Sequence, residues 1–193
     1  MTKPLQKLIF MEIYVRKSAI WFGFGIVATL AVTAPAFAAL KVGDKAPNFT
    51  TDAALGGKAF TFELNKALKK GPVVLYFFPA AFTSGCTVEA HEFAEASADF
   101  TKKGATLIGL TAGNAERIKE FSVKECANKF PVGLATPTTI KGYDVVLPQK
   151  TGWTNRTSYV IAKTGKIAYV LSDLNPAGHV SGTMAAVKAL KAK

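Results

Sequence analysis

Cysteine is almost missing from this chain. Only Cys86 and Cys126 occur in 193 residues, too few to knit a disulfide-rich scaffold, so the fold has to rest on a hydrophobic core. Histidine is equally scarce. His91 and His179 share no ligand spacing with the cysteines, which excludes a sequence-encoded zinc site and any metal cofactor read from spacing. Both histidines read as surface or packing residues. Acidic residues are outnumbered, 13 against 24 basic ones, for a formal net charge of +11. No basic run alternates with aromatics, so the excess reads as a solvated lysine-rich surface and not as a nucleic-acid footprint. Internal repeats and low-complexity linkers are also lacking. What is abundant is apolar material: 49% of the residues are hydrophobic, enough for the core of a single domain.

The first 38 residues read as a separate segment. Lys3, Lys7, Arg16 and Lys17 face only Glu12, the stretch Ala19–Ala34 is uncharged and apolar, and Ala36 and Ala38 form an A-x-A site. This is the layout of a secretory signal peptide over 1–38, with a mature domain over 39–193 exported to the periplasm or beyond. A membrane-retained N-terminal anchor is the alternative. No cysteine lies near the cleavage site to carry a lipid, and Met11 is a second candidate start. In an oxidising compartment the default reading of two cysteines is one structural disulfide. A Cys86–Cys126 bridge would close a loop worth about 4 kcal/mol on the chain-entropy model.

Within the domain, "KVGDKAPNFTTDAALGGKAFTF" alternates around Gly56-Gly57 and predicts a hairpin. "NKALKK" predicts a short helical turn. "VVLYFF" (73–78) and "ATLIGLTA" are continuous apolar runs and predict buried strands. Residues 84–103 predict a helix, with Ala90, Phe93, Ala96 and Phe100 near one face and Glu89, Glu92 and Glu95 suiting the helix dipole. "NAERIKEFSVKECANKF" predicts a second helix capped by Asn114, with Ile118, Phe121 and Cys126 at or near its buried face. A hairpin follows at "TSYVIAKTGKIAYVLS", then a closing helix with Val180, Met184, Val187 and Leu190 in helical register. Strand–helix–strand–helix followed by a hairpin implies parallel crossovers with antiparallel strands added. The expected fold class is α/β, a thioredoxin-like layout with a central mixed β-sheet and helices on both faces.

The chemistry concentrates in "LYFFPAAFTSGCTVEAHEF". A loop at the carboxyl end of a buried strand delivers Cys86 to the first turn of a helix, where ligand sites collect. Free N–H groups and the positive dipole end favour a thiolate there, and a thiolate is a nucleophile. Gly85 permits close approach of the backbone to a ligand. The four residues Thr83-Ser84-Gly85-Cys86 put a hydroxyl where a Cys-x-x-Cys motif has its first sulfur. Dithiol exchange within the motif is therefore excluded, while a hydroxyl beside a thiolate remains able to hydrogen-bond an oxygen substrate.

Pro79-x-x-x-Thr83-x-x-Cys86, with the flanks "KVGDKAPNF" and "NRTSYVIAKTGKI", resembles the active-site signature of the peroxiredoxins, and most closely the bacterioferritin-comigratory or Q-type subgroup. The resemblance runs from about Leu40 to the C-terminal helix. It implies a peroxidatic role for Cys86, which would attack the O–O bond of hydrogen peroxide or an alkyl hydroperoxide and become a sulfenic acid. It also implies that Thr83 hydrogen-bonds the peroxide, that Pro79 shields the thiolate and fixes the loop, and that Arg156 holds its guanidinium beside both. Only Arg117 and Arg156 follow the N-terminal segment, amid eighteen lysines, so an arginine at the start of a strand stands out from the general surface charge. The implied reductant is a thioredoxin-like protein or a small thiol, and the implied assembly is a monomer or weak dimer. Q-type members often carry a resolving cysteine five residues after the first, and here that position is His91. Cys126 is the remaining candidate resolver. The competing readings are a one-cysteine enzyme resolved by an external thiol, and a non-catalytic module with a static Cys86–Cys126 bridge. Trp153 is a weak candidate for lining the approach to Arg156.

Overall fold

The computed structural model describes residues 39–191; the N-terminal signal reading lies outside the described residues. Among the described residues no helix is long and apolar enough to cross a membrane. The chain runs β1 (Thr50–Leu55), β2 (Lys58–Glu63), α1 (Leu64–Lys70), β3 (Val73–Phe77), α2 (Ser84–Lys102), β4 (Thr106–Thr111), a 3-10 turn (Ala115–Arg117), α3 (Ile118–Lys124), β5 (Val132–Leu134), α4 (Pro137–Gly142), β6 (Thr157–Ile161), β7 (Ile167–Ser172) and α5 (His179–Lys191). The strands form one sheet in the order β2-β1-β5-β4-β3-β6-β7. β3, β4 and β5 are parallel, and the remaining neighbours are antiparallel. The sheet is mixed, as the element order predicts.

β3 sits between β4 and β6 and is buried along its whole length. Its alternation explains the continuous apolar run, because both faces are covered. Val73, Leu75 and Phe77 point into one core with Leu64, Leu68 and Ile140 from α1 and α4. Val74 and Tyr76 point into the other with Ala90, Phe93, Phe121 and Val187 from α2, α3 and α5. Tyr76 stacks on Phe93 with centroids 4.3 Å apart. Its ring occupies the space a side chain at Gly109 would need, since a Cβ there would lie 2.6 Å from the Tyr76 ring.

The second long helix of the sequence reading is shorter in the structure. Asn114 adopts a left-handed conformation (φ 52°) and makes no side-chain cap; a 3-10 turn follows, and α3 stops at Lys124. Cys126 therefore lies in the turn beyond α3 and not in a helix. Ala127 (φ 48°) and Asn128 (φ 61°) explain the stop, because two successive left-handed residues cannot continue a right-handed helix. The turn is braced from the β1–β2 hairpin. Ser122 Oγ accepts from the Gly57 N–H at 2.9 Å, and Gly56 packs against the Asn128 side chain.

Candidate active site

The loop from β3 to α2 is held by its carbonyls. Four consecutive ones each accept a hydrogen bond from a side chain. Thr154 Oγ1 donates to Phe78 O (2.6 Å), Thr111 Oγ1 to Pro79 O (3.2 Å), Thr83 Oγ1 to Ala80 O (3.1 Å) and Asn114 Nδ2 to Ala81 O (2.8 Å). Asn114 thus serves the loop and not the helix. Gly113 pairs with Ala80 beyond the end of β4, and a Cβ there would lie 2.3 Å from Pro79 O. Phe82 closes the loop at φ 62°, a conformation that costs a non-glycine residue energy. Its ring is held edge-on by Phe121 and capped by the Arg117 guanidinium 3.8 Å above it.

This clamped loop fixes Thr83 as the residue preceding α2 and Cys86 in the first turn. Thr83 is exposed and its hydroxyl hydrogen is engaged by Ala80 O, so its oxygen lone pairs remain free to accept from a molecule arriving from solvent. Cys86 is only 1% exposed and is a free thiol. Pro79 is half-buried at the end of β3.

Arg156, the residue before β6, uses all three guanidinium nitrogens. Nε donates to Leu174 O at 2.8 Å, Nη2 to Cys86 Sγ at 3.5 Å, and Nη1 to Glu89 Oε2 in a buried hydrogen bond. Gly85 makes the approach possible, because a Cβ at Gly85 would lie 3.1 Å from Nη2. The sequence reading expects Gly85 to admit a ligand; the group admitted is this guanidinium. Arg156 is 5% exposed, so its charge acts at short range in a poorly solvated pocket.

The sequence reading grouped Glu89 with Glu92 and Glu95 as suiting the helix dipole and gave it no place in the site. Glu89 is wholly buried. One turn after Cys86, it lies on the apolar stripe of α2 with Ala90 and Phe93, and that spacing was the available signal. His179, at the start of α5, is also wholly buried. Its Nδ1 lies 2.8 Å from Ser158 Oγ and 3.7 Å from Glu89 Oε1, and its Nε2 3.1 Å from Asp173 O. A carbonyl only accepts, so Nε2 carries the hydrogen and Nδ1 accepts from Ser158.

Burial drives the Glu89 carboxyl from its ordinary 4.5 up to about 8, with Arg156 pulling the other way. Burial pushes His179 below its ordinary 6.5. The signs for stability are opposite. Folded Glu89 keeps a proton that the unfolded chain releases above 4.5, so its contribution is full below that pH and is lost as pH rises through about 8, at up to ~1.4 kcal/mol per unit. Folded His179 resists protonation, so its contribution is present above 6.5 and is lost in acid. Urea denaturation of the wild type and Glu89→Gln at pH 5 and pH 9 should show the difference shifting toward the glutamine variant by about 1–3 kcal/mol as pH rises. A pH-independent difference would contradict the assignment.

Cys126 is fully buried and free, and burial together with Glu125 pushes its thiol well above the ordinary range. Where it sits it is a protonated, poor nucleophile. Its N–H donates to Phe121 O at 3.1 Å. His91, half-exposed on α2, pairs with Glu125 at 2.8 Å, so it links α2 to the Cys126 turn. Trp153 lies against Gly113 and beneath Lys150, whose ammonium is 3.3 Å from the ring centroid. The structure therefore brings Cys86, Thr83 and Arg156 together at the mouth of α2 and leaves Cys126 in a separate turn.

A family model described as the AhpC/TSA family matches residues 42–170. Chloroplastic peroxiredoxin Q of Oryza sativa subsp. japonica is 32% identical over 158 residues, covering 77% of this chain and 67% of the rice protein. Among solved structures, peroxidoxin BcpB from Mycobacterium tuberculosis superposes with a TM-score of 0.68 at 27% identity, over 78% of this chain and 97% of the mycobacterial one. The reduced 2-Cys peroxiredoxin of Plasmodium vivax shares the fold, with a TM-score of 0.67 at 21% identity over 79% and 98% of the two chains.

Proposed function

The chain belongs to the AhpC/TSA family, among the Q-type, bcp-like peroxiredoxins of thioredoxin-like fold, and on that premise we propose that Cys86 is the thiol that attacks the peroxide. Peroxiredoxins are thiol peroxidases, so the protein is an enzyme of the hydroperoxide-reductase class. The observation that carries the assignment to Cys86 is the 3.5 Å contact between its Sγ and Arg156 Nη2 at the mouth of α2. The thiolate attacks the distal oxygen of ROOH. Sulfur gains an S–O bond, the O–O bond breaks with its electron pair going to RO⁻, and a proton from solvent completes ROH. Thr83 accepts from the peroxide hydroxyl and Arg156 stabilises the charge that moves onto oxygen. Pro79 helps to keep water from the thiolate. The substrate class is hydrogen peroxide or an alkyl hydroperoxide.

Cys126 resolves the sulfenic acid. Its sulfur forms the S–S bond, water leaves, and a thioredoxin-like dithiol or a small thiol reduces the disulfide. Both thiols are buried in one core cluster, so resolution requires the first turn of α2 and the Cys126 turn to open. The backbone strain at Ala127 and Asn128 supports the second of these movements. The protein works as a monomer or weak dimer in the periplasm or outside the cell, after removal of residues 1–38. Intact-mass spectrometry after one equivalent of peroxide tests the scheme. The wild type should lose two hydrogens with a Cys86–Cys126 cross-link, and Cys126→Ser should gain one oxygen at Cys86. Stable oxygen addition in the wild type without the cross-link would replace the internal resolver by an external thiol. A disulfide present before peroxide and inert to it would leave a structural bridge.

A further inference from the structure

Behind Arg156 the structure buries an acid–base pair that the reaction above does not use. Glu89 on α2 and His179 on α5 are both wholly enclosed, and Glu89 Oε1 has no hydrogen-bond partner among the described residues. An enclosed, unpartnered carboxylate oxygen is costly, and a proton on it removes most of that cost. The other oxygen, Oε2, accepts from Arg156 Nη1 and so takes the carbonyl role. That leaves Oε1 to carry the hydrogen; His179 Nδ1 lies 3.7 Å away, beyond hydrogen-bond reach, with its one lone pair taken by Ser158. With Nε2 on Asp173 O and Nδ1 on Ser158, the ring faces Oε1 as a neutral group.

We propose that Glu89 holds a proton on Oε1, facing the neutral ring of His179, and that this proton leaves the charge of Arg156 available to Cys86. With the proton in place, Glu89 is neutral and the guanidinium has the Cys86 thiolate as its only anionic neighbour in contact. With the proton lost, Arg156 is shared between two anions, and the thiolate loses part of its counter-charge. The upward displacement of Glu89 by burial and the downward displacement of His179 agree with a neutral pair at physiological pH. The charged and titratable groups facing the pair are Arg156 ahead of β6, Cys86 and Glu92 on α2, Asp173 after β7 and Tyr76 on β3. Glu89 is thus a positioning residue, acting on the thiol through Arg156.

The inference rests on Cys86 as the reacting thiol, and two readouts separate the two ideas. The first is the rate of Cys86 oxidation by hydrogen peroxide against pH in the Cys126→Ser background. The wild-type rate should fall by about tenfold as the Glu89 proton is lost. Glu89→Gln, a permanently neutral stand-in, should abolish the fall. The second readout ignores the chemistry at sulfur. Infrared difference spectra of the reduced protein at pH 7 should contain a protonated-carboxyl C=O stretch that is missing in Glu89→Gln. The His179 ring nitrogens, followed by ¹⁵N NMR, should report the Nε2–H tautomer and an inflection where that stretch disappears. A Glu89→Gln profile that still falls, or a wild type with no protonated carboxyl at pH 7, would overturn the proposal. An unreactive Cys86 with the infrared and NMR signatures intact would overturn the catalytic assignment instead.

Discussion

Cys86→Ser folds normally and consumes no peroxide. The change replaces sulfur by oxygen at a site that is 1% exposed. A serine hydroxyl fills nearly the same volume and accepts the same donor from Arg156, so the core and the loop clamp are left intact. What is lost is the nucleophile: a serine alkoxide is not formed near neutrality, whereas a thiolate is. Removing a catalytic nucleophile outright costs roughly 10⁴-fold or more in rate. Peroxide consumption by the reduced variant should equal the buffer blank, with circular dichroism and the denaturation midpoint close to wild type. Turnover above that blank would place the chemistry on another group.

Arg156 carries the second large effect, and two substitutions divide it. Arg156→Lys keeps the charge, but a single ammonium cannot meet Leu174 O, Glu89 and Cys86 together as the planar fork does. A loss of about 10²-fold in the peroxide rate is expected from the misplaced donor. Arg156→Met removes the cation as well and should cost about 10³-fold. It also leaves Glu89 buried without a counter-charge. Denaturation should therefore show a stability deficit that grows with pH and reaches about 3 kcal/mol once Glu89 is ionised. Stopped-flow oxidation and urea titration at pH 6 and 9 measure the two effects separately. A wild-type rate in Arg156→Met would mean that the thiol does not depend on this guanidinium.

The line of the fold and the front of the site were legible in the sequence. β3 reads from its apolar run, α2 from its stripe and the β6–β7 hairpin from its turn. Thr83, Cys86 and Arg156 stand out by residue type and position, and they meet in space. The back of the site was not legible. Glu89 looks like a dipole-suited acid because α2 carries glutamates at 89, 92 and 95, and only its one-turn offset from Cys86 marks it as inward-facing. His179 looks like packing because its partners, Ser158, Asp173 and Glu89, come from three other segments. The end of α3 was misplaced because helix propensity continues through "VKECANK", while Ala127 and Asn128 take left-handed conformations that tertiary context imposes. The loop clamp was equally hidden, since Thr111, Asn114 and Thr154 are unremarkable residues until four carbonyls need donors.

The buried guanidinium also divides the protein's electrostatics in two. Among the described residues the lysines that outnumber the acidic side chains lie at the surface, and dissolved salt screens that field within about 10 Å at 0.1 M. Arg156 and Glu89 lie beneath it, where mobile ions do not enter. Ionic strength therefore governs which charged reductant reaches the protein and how fast, while the thiol's own counter-charge stays constant from dilute buffer to brine. A chain with a lysine-rich surface conducts its chemistry on a charge that dissolved salt does not adjust.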